Sequence, residues 1–411
     1  MDIVVDRCAG LDVHKDTVVA CVRVPGSGRQ RSEEIATFAT VTVELLALRD
    51  WLVAHGVTLV GMESTGVYWK PVFYVLEDAM ECWLLNARHL RNVPGRKTDV
   101  SDAAWIAGLV EHGLVRPSFV PPKEIRELRN LTRYRRAQIE ERSREAQRLD
   151  KVLQDAGIKL SSVASRILGA SARAMLLALV EGTRDPEILA ELARGRLRKK
   201  IPELHDALLG RFSAHHALLV GQILAKLDFL DEVTTNLTGE IDRVIAPFEH
   251  QVDLLNTITG VDRLSAQELI AEIGIDMDRF GTAAQLASWA GMCPGHHESA
   301  GKQSSGRARP GPKWLQRTLT QCAKAAGRSK GTYLGALYAR LRGRRGPAKA
   351  TKAVGHSILV AAFHMLRDDT PYHDLGPDWF GRLRPEQHAR RLVHQLQALG
   401  YSVSITATDA A

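Results

Sequence analysis

Four acidic residues in the first quarter of the 411-residue chain are the side chains best suited to chemistry. They are Asp12, Glu63, Asp99 and Asp102. Carboxylates that lie a few ångströms apart repel one another, so we expect a group of four to gather around divalent cations. Mg²⁺ prefers such hard oxygen ligands, Mn²⁺ also accepts them, and two ions can hold the attacking and leaving oxygens of a phosphodiester reaction. The set therefore predicts metal-dependent phosphodiester chemistry.

These carboxylates can meet only if residues 1–118 fold as alternating strands and helices. Apolar and alternating runs predict strands at 7–13, 16–23, 34–39, 57–62 and 82–85. Helical spacing of apolar residues predicts helices at 43–52 and 71–80, and a last helix begins near Asp99. This order of elements is typical of an α/β RNase H-like domain.

In such a sheet the first and fourth strands are neighbours, so acidic residues on them can face one another across about 5 Å. Asp12 ends the first predicted strand and Glu63 ends the fourth. Asp99 and Asp102 are three residues apart, which puts both on one face of the first helical turn. Acidic residues often only cap turns and helix starts, so each residue alone is uninformative. Their shared position in one topology favours a metal site.

The remainder of the chain predicts mainly helices. Residues 123–153 are dense in Arg and Glu and 184–255 carry spaced leucines, which favours a helical hairpin or coiled coil interrupted by Gly and Pro. Residues 257–274 resemble two helices around a tight glycine turn, which either binds a DNA phosphate or is a simple packed pair. We expect four parts: the RNase H-like domain at 1–118, a coiled-coil-like linking module at 119–250, a mainly α domain at 251–368 and a C-terminal extension at 369–411.

The charge of the chain indicates a polyanionic partner. The formal net charge is +8 and the pI is near 9.3. Residues 299–367 contain fifteen Lys and Arg and neither Asp nor Glu. A segment of this length that carries only positive charge predicts binding to nucleic acid, with an affinity that falls steeply as the salt concentration rises.

Composition disfavours several classes of protein. The chain is 45% hydrophobic and 25% charged, as in folded multidomain proteins, and its apolar runs fall short of the ~20 residues of a membrane span. The N-terminus lacks the pattern of a signal peptide. The five cysteines are scattered without a C-x-x-C pair, which disfavours disulfide and zinc sites. We therefore expect a cytoplasmic protein that associates with the nucleoid when it is bound to DNA.

Several segments resemble the insertion-sequence one-hundred-and-ten family of transposases. Residues 10–15, 61–68 and 97–103, which carry the four carboxylates, look like the signatures of that family's RuvC-like DEDD nuclease domain. Residues 280–315 resemble its C-terminal transposase domain. The two sets of motifs occur in the family's order, and the resemblance spans almost the whole chain. Their combination identifies the family more specifically than either set alone.

The resemblance implies a serine nucleophile, Ser299, that becomes linked to DNA and acts with the Mg²⁺-binding carboxylates to cut and rejoin strands without net hydrolysis. A serine hydroxyl is a weak nucleophile that needs a base, a metal or a cationic pocket. The cations expected to contact nucleic acid are Lys302, Arg307, Arg309 and Lys313. The local segment alone indicates an ordinary loop serine, so the role of Ser299 depends on the family motif. The resemblance also implies a structured guide RNA from the element's non-coding end, and we expect a homo-oligomer, either a dimer or a tetramer.

Three other interpretations remain open at this stage. A RuvC-like junction-resolving nuclease would hydrolyse DNA with the carboxylates alone. A non-enzymatic nucleic-acid-binding protein would use the acidic residues only as caps and surface charges. A site-specific DNA invertase of the same family would share the chemistry of the transposase.

Overall fold

A computed structural model describes residues 2–27, 30–63, 66–87, 90, 101–295, 298–299, 302–303, 306, 308–383 and 385–405, with the backbone alone at 298–299 and 302–303. The chain forms two compact units, Met1–Val120 and Pro121–Ala411. The first unit is a mixed sheet with helices and the second is mostly helical. The predicted fold class is therefore confirmed.

The first unit contains five strands and three helices among its described residues. The strands are β1 (Cys8–Val13), β2 (Thr17–Pro25), β3 (Arg31–Ala39), β4 (Leu59–Glu63) and β5 (Glu81–Leu85). The helices are α1 (Thr42–Ala54), α2 (Trp69–Leu76) and α3 (Asp102–Glu111). The predicted helix at 71–80 was placed slightly too late, because backbone turns after Leu76 lead directly into β5.

The sheet has the strand order β3-β2-β1-β4-β5, with β1 at its centre. β1 pairs antiparallel with β2 and parallel with β4, and β4 pairs parallel with β5. The predicted adjacency of the first and fourth strands is confirmed. Any side chain at the end of β1 therefore has a neighbour at the end of β4.

The two faces of β1 pack against different elements, because side chains alternate along a strand. Leu11 and its odd-numbered neighbours belong to a core that residues of α1 and α2 complete. Cys8 and Gly10, on the opposite face, contact α3. The sheet thus separates an apolar core from a face covered by α3.

A buried carboxylate joins the C-terminal end of α3 to the sheet. Glu111 is 1% exposed and accepts hydrogen bonds from Nε of Arg23 at 3.1 Å and Nε of Arg31 at 2.6 Å. Arg23 lies on β2 and Arg31 begins β3. Removing one partner of a buried ion pair costs roughly 3–5 kcal/mol, so this contact is a strong restraint on α3.

The second unit consists of long and short helices with one small hairpin. Its helices are α4 (Lys123–Asp155), α5 (Leu160–Val163), α6 (Ala170–Glu181), α7 (Pro186–Glu191), α8 (Ile201–Leu208), α9 (Ala214–Ile245), α10 (Glu249–Asn256), α11 (Arg263–Ile273), α12 (Ala283–Trp289), α13 (Lys313–Ala326), α14 (Tyr333–Arg345), α15 (Pro347–Asp368), α16 (Trp379–Arg382) and α17 (Pro385–Ala398). Two short strands, β6 (Glu298–Ser299) and β7 (Lys302–Gln303), lie between α12 and α13. Among the described helices, none is long and apolar enough to cross a membrane.

The two longest helices, α4 and α9, pack antiparallel as an arm. Nε2 of His216, near the start of α9, lies 3.1 Å from Asp155 at the end of α4. Nζ of Lys226, further along α9, lies 2.5 Å from Oε1 of Glu145, which precedes Asp155 on α4. The short helices α5 to α8 fold over the far end of the arm and share an apolar core with both long helices. The predicted Gly and Pro interruptions fall in this connection, so each long helix is continuous.

The near end of the arm is joined to α11 by arginines of α4. Arg133 donates two hydrogen bonds to the Glu272 carboxylate, at 2.7 and 2.8 Å. Arg129 donates to two backbone oxygens at the end of α11, where helix carbonyls lack partners in the helix. The fully buried Arg135 donates to Oε1 of Gln267 at 3.1 Å. Part of the arginine content of residues 123–153 therefore serves internal packing.

The glycine turn before α11 packs against the C-terminal end of α13. A Cβ at Gly260, where φ is +87°, would lie 2.5 Å from the amide nitrogen of Ala326 and 2.6 Å from the backbone oxygen of Cys322. The Asp262 carboxylate accepts a hydrogen bond from the Ser265 amide at 2.9 Å and caps α11. A carboxylate in this position competes with any phosphate for the helix amides. These contacts favour the packed helical pair over the phosphate-binding turn.

The five cysteines have free thiols. Burial raises the pKa of Cys8 and Cys21 to about 12. Both thiols are therefore protonated near neutral pH and pack as small apolar groups.

Candidate active site

Asp12 and Glu63 lie at the same edge of the sheet. β1 and β4 are parallel, and Leu11 pairs with Met62 at the end of their register. Asp12 and Glu63 each follow this pair by one residue. Opposite residues on neighbouring strands share a face, and the strands are about 5 Å apart. The register thus brings the two carboxylates onto one face of the sheet.

That face is the one covered by α3. A Cβ at Gly10 would lie only 2.2 Å from the backbone oxygen of Ala103, near the start of α3. Two residues earlier on the strand, Sγ of Cys8 donates to the backbone oxygen of Ala107 at 3.6 Å. α3 therefore runs antiparallel to β1. Its first residue, Asp102, lies at the end of the face to which the strand carboxylates belong.

The start of α3 is fixed by a serine cap. Oγ of Ser101 accepts a hydrogen bond from the Ala104 amide at 3.2 Å. Asp102 lies in the same first turn, where the helix dipole stabilises a negative charge by roughly 0.3–1 kcal/mol. The helix start therefore offsets a small part of the repulsion among neighbouring carboxylates.

Asp12 has a histidine partner that the sequence analysis did not assign. The Asp12 side chain is 21% exposed, and its Oδ2 lies 3.1 Å from Nε2 of His14, which is 60% exposed. The sequence does carry a signal for this contact, which is the spacing of two residues between Asp12 and His14. Residues two apart on an extended chain share a face. A histidine there can hold the carboxylate in one orientation.

The structure places Asp12 and Glu63 at one edge of the sheet and Asp102 at the start of α3, and all three are half-buried. Asp99 lies outside the described residues. Within the described part of the chain, no group of three or more His, Cys, Asp or Glu side chains is arranged to hold a metal ion. The four-carboxylate metal site stays a prediction.

We predict that Gly10→Ala lowers the free energy of unfolding by about 1–3 kcal/mol, because the methyl group would collide with the backbone of α3. Gly61→Ala is the matched control on the next strand. Its methyl group would meet side-chain atoms, such as Cγ2 of Val110 at 2.5 Å, which can rotate away. Denaturant unfolding of both variants measures the difference. Equal losses would mean that the backbone contact does not set the spacing between α3 and the sheet.

Ser299 lies in the β6–β7 hairpin of the second unit. The strands pair antiparallel, with Ser299 opposite Lys302 and Glu298 opposite Gln303. The connection at 300–301 lies outside the described residues. The sequence indicated a loop here, because strands of two residues have no periodicity to detect.

Two glycines close the base of the loop that carries this hairpin. Gly291, where φ is +64°, follows α12, and Gly311 precedes α13. A Cβ would lie 2.5 Å from the backbone oxygen of Arg309 at the first position and 2.2 Å from that of Ala290 at the second. Gln316 donates to the same Ala290 oxygen at 2.9 Å. The loop therefore leaves and rejoins the helices at one point.

The structure describes two of the four residues predicted to contact nucleic acid with their side chains. Arg309 and Lys313 have exposed side chains at the base of the loop. Lys302 is described by its backbone alone, and Arg307 lies outside the described residues. Their contacts with nucleic acid stay a prediction.

Two family models match the chain. One is described as a transposase, of the DEDD type of IS110, and it matches residues 9–158. The other is described as the transposase IS116/IS110/IS902 family, and it matches residues 252–339. The first range includes the four candidate carboxylates and the second includes Ser299. A comparison with curated proteins finds no match.

Proposed function

Because the chain belongs to the IS110 family of transposases, we propose that it cuts and rejoins DNA at the ends of an insertion sequence. The family is one of DNA-processing enzymes, and a DEDD domain implies the use of divalent metal ions. The observation that carries the proposal is the β1–β4 register, in which Asp12 and Glu63 follow the pair Leu11–Met62 on the face covered by α3. We assign 1–118 to a RuvC-like domain, 119–250 to a linking module, 251–368 to a transposase domain and 369–411 to an extension.

We assign a Mg²⁺ site, which Mn²⁺ can also occupy, to Asp12, Glu63, Asp99 and Asp102. The donor set fits such an ion, because carboxylate oxygens are hard ligands and a bound cation relieves their repulsion. Bound divalent ions would supply positive charge to the attacking and leaving oxygens of a phosphodiester. The chain's own part is to hold the carboxylates, through the sheet for β1 and β4 and through the Ser101 cap for α3.

In the proposed reaction Oγ of Ser299 bonds to phosphorus as the bond to the departing strand breaks. The serine proton passes to a base, the leaving oxygen takes up a proton, and the departing strand leaves with a hydroxyl group. The phosphoserine keeps a phosphoester bond, so the hydroxyl of another strand can restore a phosphodiester without hydrolysis. Support comes from the pairing of Ser299 with Lys302 and from the acid-free segment 299–367, since cations stabilise the charge that develops on phosphorus oxygens.

We also propose that a structured RNA from the element's non-coding end guides the enzyme, and that it acts as a dimer or tetramer at the nucleoid. The family resemblance and the net charge of +8 support an RNA partner. Exposed apolar side chains on the arm support self-association, for example Leu218 at 64% and Phe229 at 61% exposure.

A strand-exchange assay with the full-length chain tests the proposed function. Labelled donor and target DNA and the transcript of the non-coding end are incubated with Mg²⁺, or with EDTA in a parallel reaction. We expect joined product only in the reaction that contains metal and RNA. Strands that are cut but never joined would favour a junction-resolving nuclease. DNA that stays intact with Mg²⁺ and RNA would favour a non-enzymatic binding protein.

A further inference from the structure

A basic cleft lies between α14 and the C-terminal extension. Its volume is about 1020 Å³. The charged residues of its described lining are four arginines and one aspartate, namely Arg340, Arg344, Arg382, Arg391 and Asp378. All five follow residue 339, where the second family match ends. The charged residues of the cleft therefore lie outside the segments that the family models match.

Specific contacts fix the extension against α14. The Asp374 carboxylate accepts hydrogen bonds from the amides of Tyr333 at 2.9 Å and Gly376 at 2.8 Å. The Phe380 ring stacks on Tyr333 with centroids 5.3 Å apart. The Arg340 guanidinium lies 4.7 Å from the centroid of the same Phe380 ring. These contacts hold the wall formed by the extension at a set distance from the wall formed by α14.

Among the described lining residues, four arginines face a single aspartate, so the positive charge of the cleft is only partly offset. Arg340, Arg344 and Arg391 are exposed, and none of them has an acidic partner among the described residues. The ion pair of α17 joins Arg390 to Glu386, outside the lining. Arg340 and Arg344 are four residues apart, so they lie on one side of α14. Guanidinium groups on both walls therefore give the cleft a strongly positive potential.

We propose that this cleft binds the phosphate backbone of duplex DNA. Guanidinium groups match the geometry of phosphate oxygens and bind them without regard to sequence. Single-stranded nucleic acid is bound largely by stacking bases on aromatic rings. Phe380 already contacts Tyr333 and Arg340, so its ring serves the fold. The proposal goes beyond the strand-exchange function, because binding in the cleft needs neither Ser299 nor a metal.

The double variant R344A/R391A of the full-length chain tests the proposal. Binding to a labelled duplex is measured by fluorescence anisotropy in EDTA over a range of salt concentrations. Each phosphate contact contributes about 0.9 to the slope of log K against log salt, so the slope should fall by about 2. The affinity at fixed low salt should fall with it. Because anisotropy reports binding and not strand exchange, failure of the serine mechanism would leave this result unaffected.

The matched control is R342A/R390A, which removes two exposed arginines from the same two helices but outside the cleft lining. We expect its salt slope to stay close to that of the unmodified chain, and thermal unfolding will show that both variants are folded. An unchanged slope for R344A/R391A, or equal losses in the two variants, would overturn the proposal. A selective loss of binding to structured RNA, with duplex binding intact, would also overturn it and assign the cleft to RNA.

Discussion

Asp12→Asn is expected to reduce DNA cleavage and strand exchange by on the order of 10³-fold. Asparagine preserves the shape of the side chain but removes the negative charge that a divalent cation requires. Metal ions contribute several kcal/mol to stabilising a phosphoryl transition state, and about 4 kcal/mol corresponds to about 10³ in rate. The Asp12 side chain is 21% exposed at the end of β1, so we expect the variant to fold. The rate of product formation in Mg²⁺ measures the effect.

The control for this variant is Asp16→Asn. Asp16 follows Asp12 by four residues, in the turn between β1 and β2, and is exposed. It carries the same charge, and we expect its loss to leave the cleavage rate nearly unchanged. Full activity of Asp12→Asn would remove Asp12 from the metal site. An equal loss in both variants would indicate a general effect of charge near the sheet edge.

Ser299→Ala is expected to eliminate the covalent protein–DNA linkage and to reduce strand exchange by at least on the order of 10³-fold. A methyl group cannot form a bond to phosphorus, whereas binding of DNA by the surrounding cations does not need the hydroxyl. Labelled DNA that stays attached to denatured protein on a gel reports the linkage. We expect this band from the unmodified chain and its absence from the variant, with duplex affinity retained.

Ser304→Ala is the matched control, because Ser304 belongs to the same acid-free segment five residues further on. It should retain both the linkage and strand exchange. If Ser299→Ala keeps full exchange, the serine mechanism is wrong while the metal site is unaffected. Cleavage without linkage in the unmodified chain would favour hydrolysis by the carboxylates alone.

The first unit could be predicted almost element by element, because its strands and helices differ in period. β1 and β4 are short apolar runs, and each carries an acidic residue at its C-terminal end, Asp12 as the last residue but one of β1 and Glu63 as the last residue of β4. Once a mixed α/β order is accepted, their adjacency follows from the topology. The pairing of Leu11 with Met62 then brings the next residues of both strands together. The candidate carboxylate site could therefore be inferred from local pattern and chain order.

Contacts between distant segments could not be predicted in this way. The approach of Gly10 to Ala103 and the stacking of Phe380 on Tyr333 join residues far apart in sequence. Periodicity reports which face of an element is buried, but it does not identify the partner. The turn at Gly260 shows the consequence, because its sequence fits both a phosphate-binding turn and a packed pair. Its contact with α13 is what favours packing.

The antiparallel arm also determines how the second unit can change in size. α4 has 33 residues and α9 has 32, so each spans about 50 Å at 1.5 Å per residue. The chain goes out along α4 and comes back along α9, while arginines of α4 hold the near end to α11. Removing or adding equal numbers of helical turns in α4 and α9 would move the tip core without displacing α11. The arm thus acts as a spacer that sets the distance between the tip core and the joint with α11.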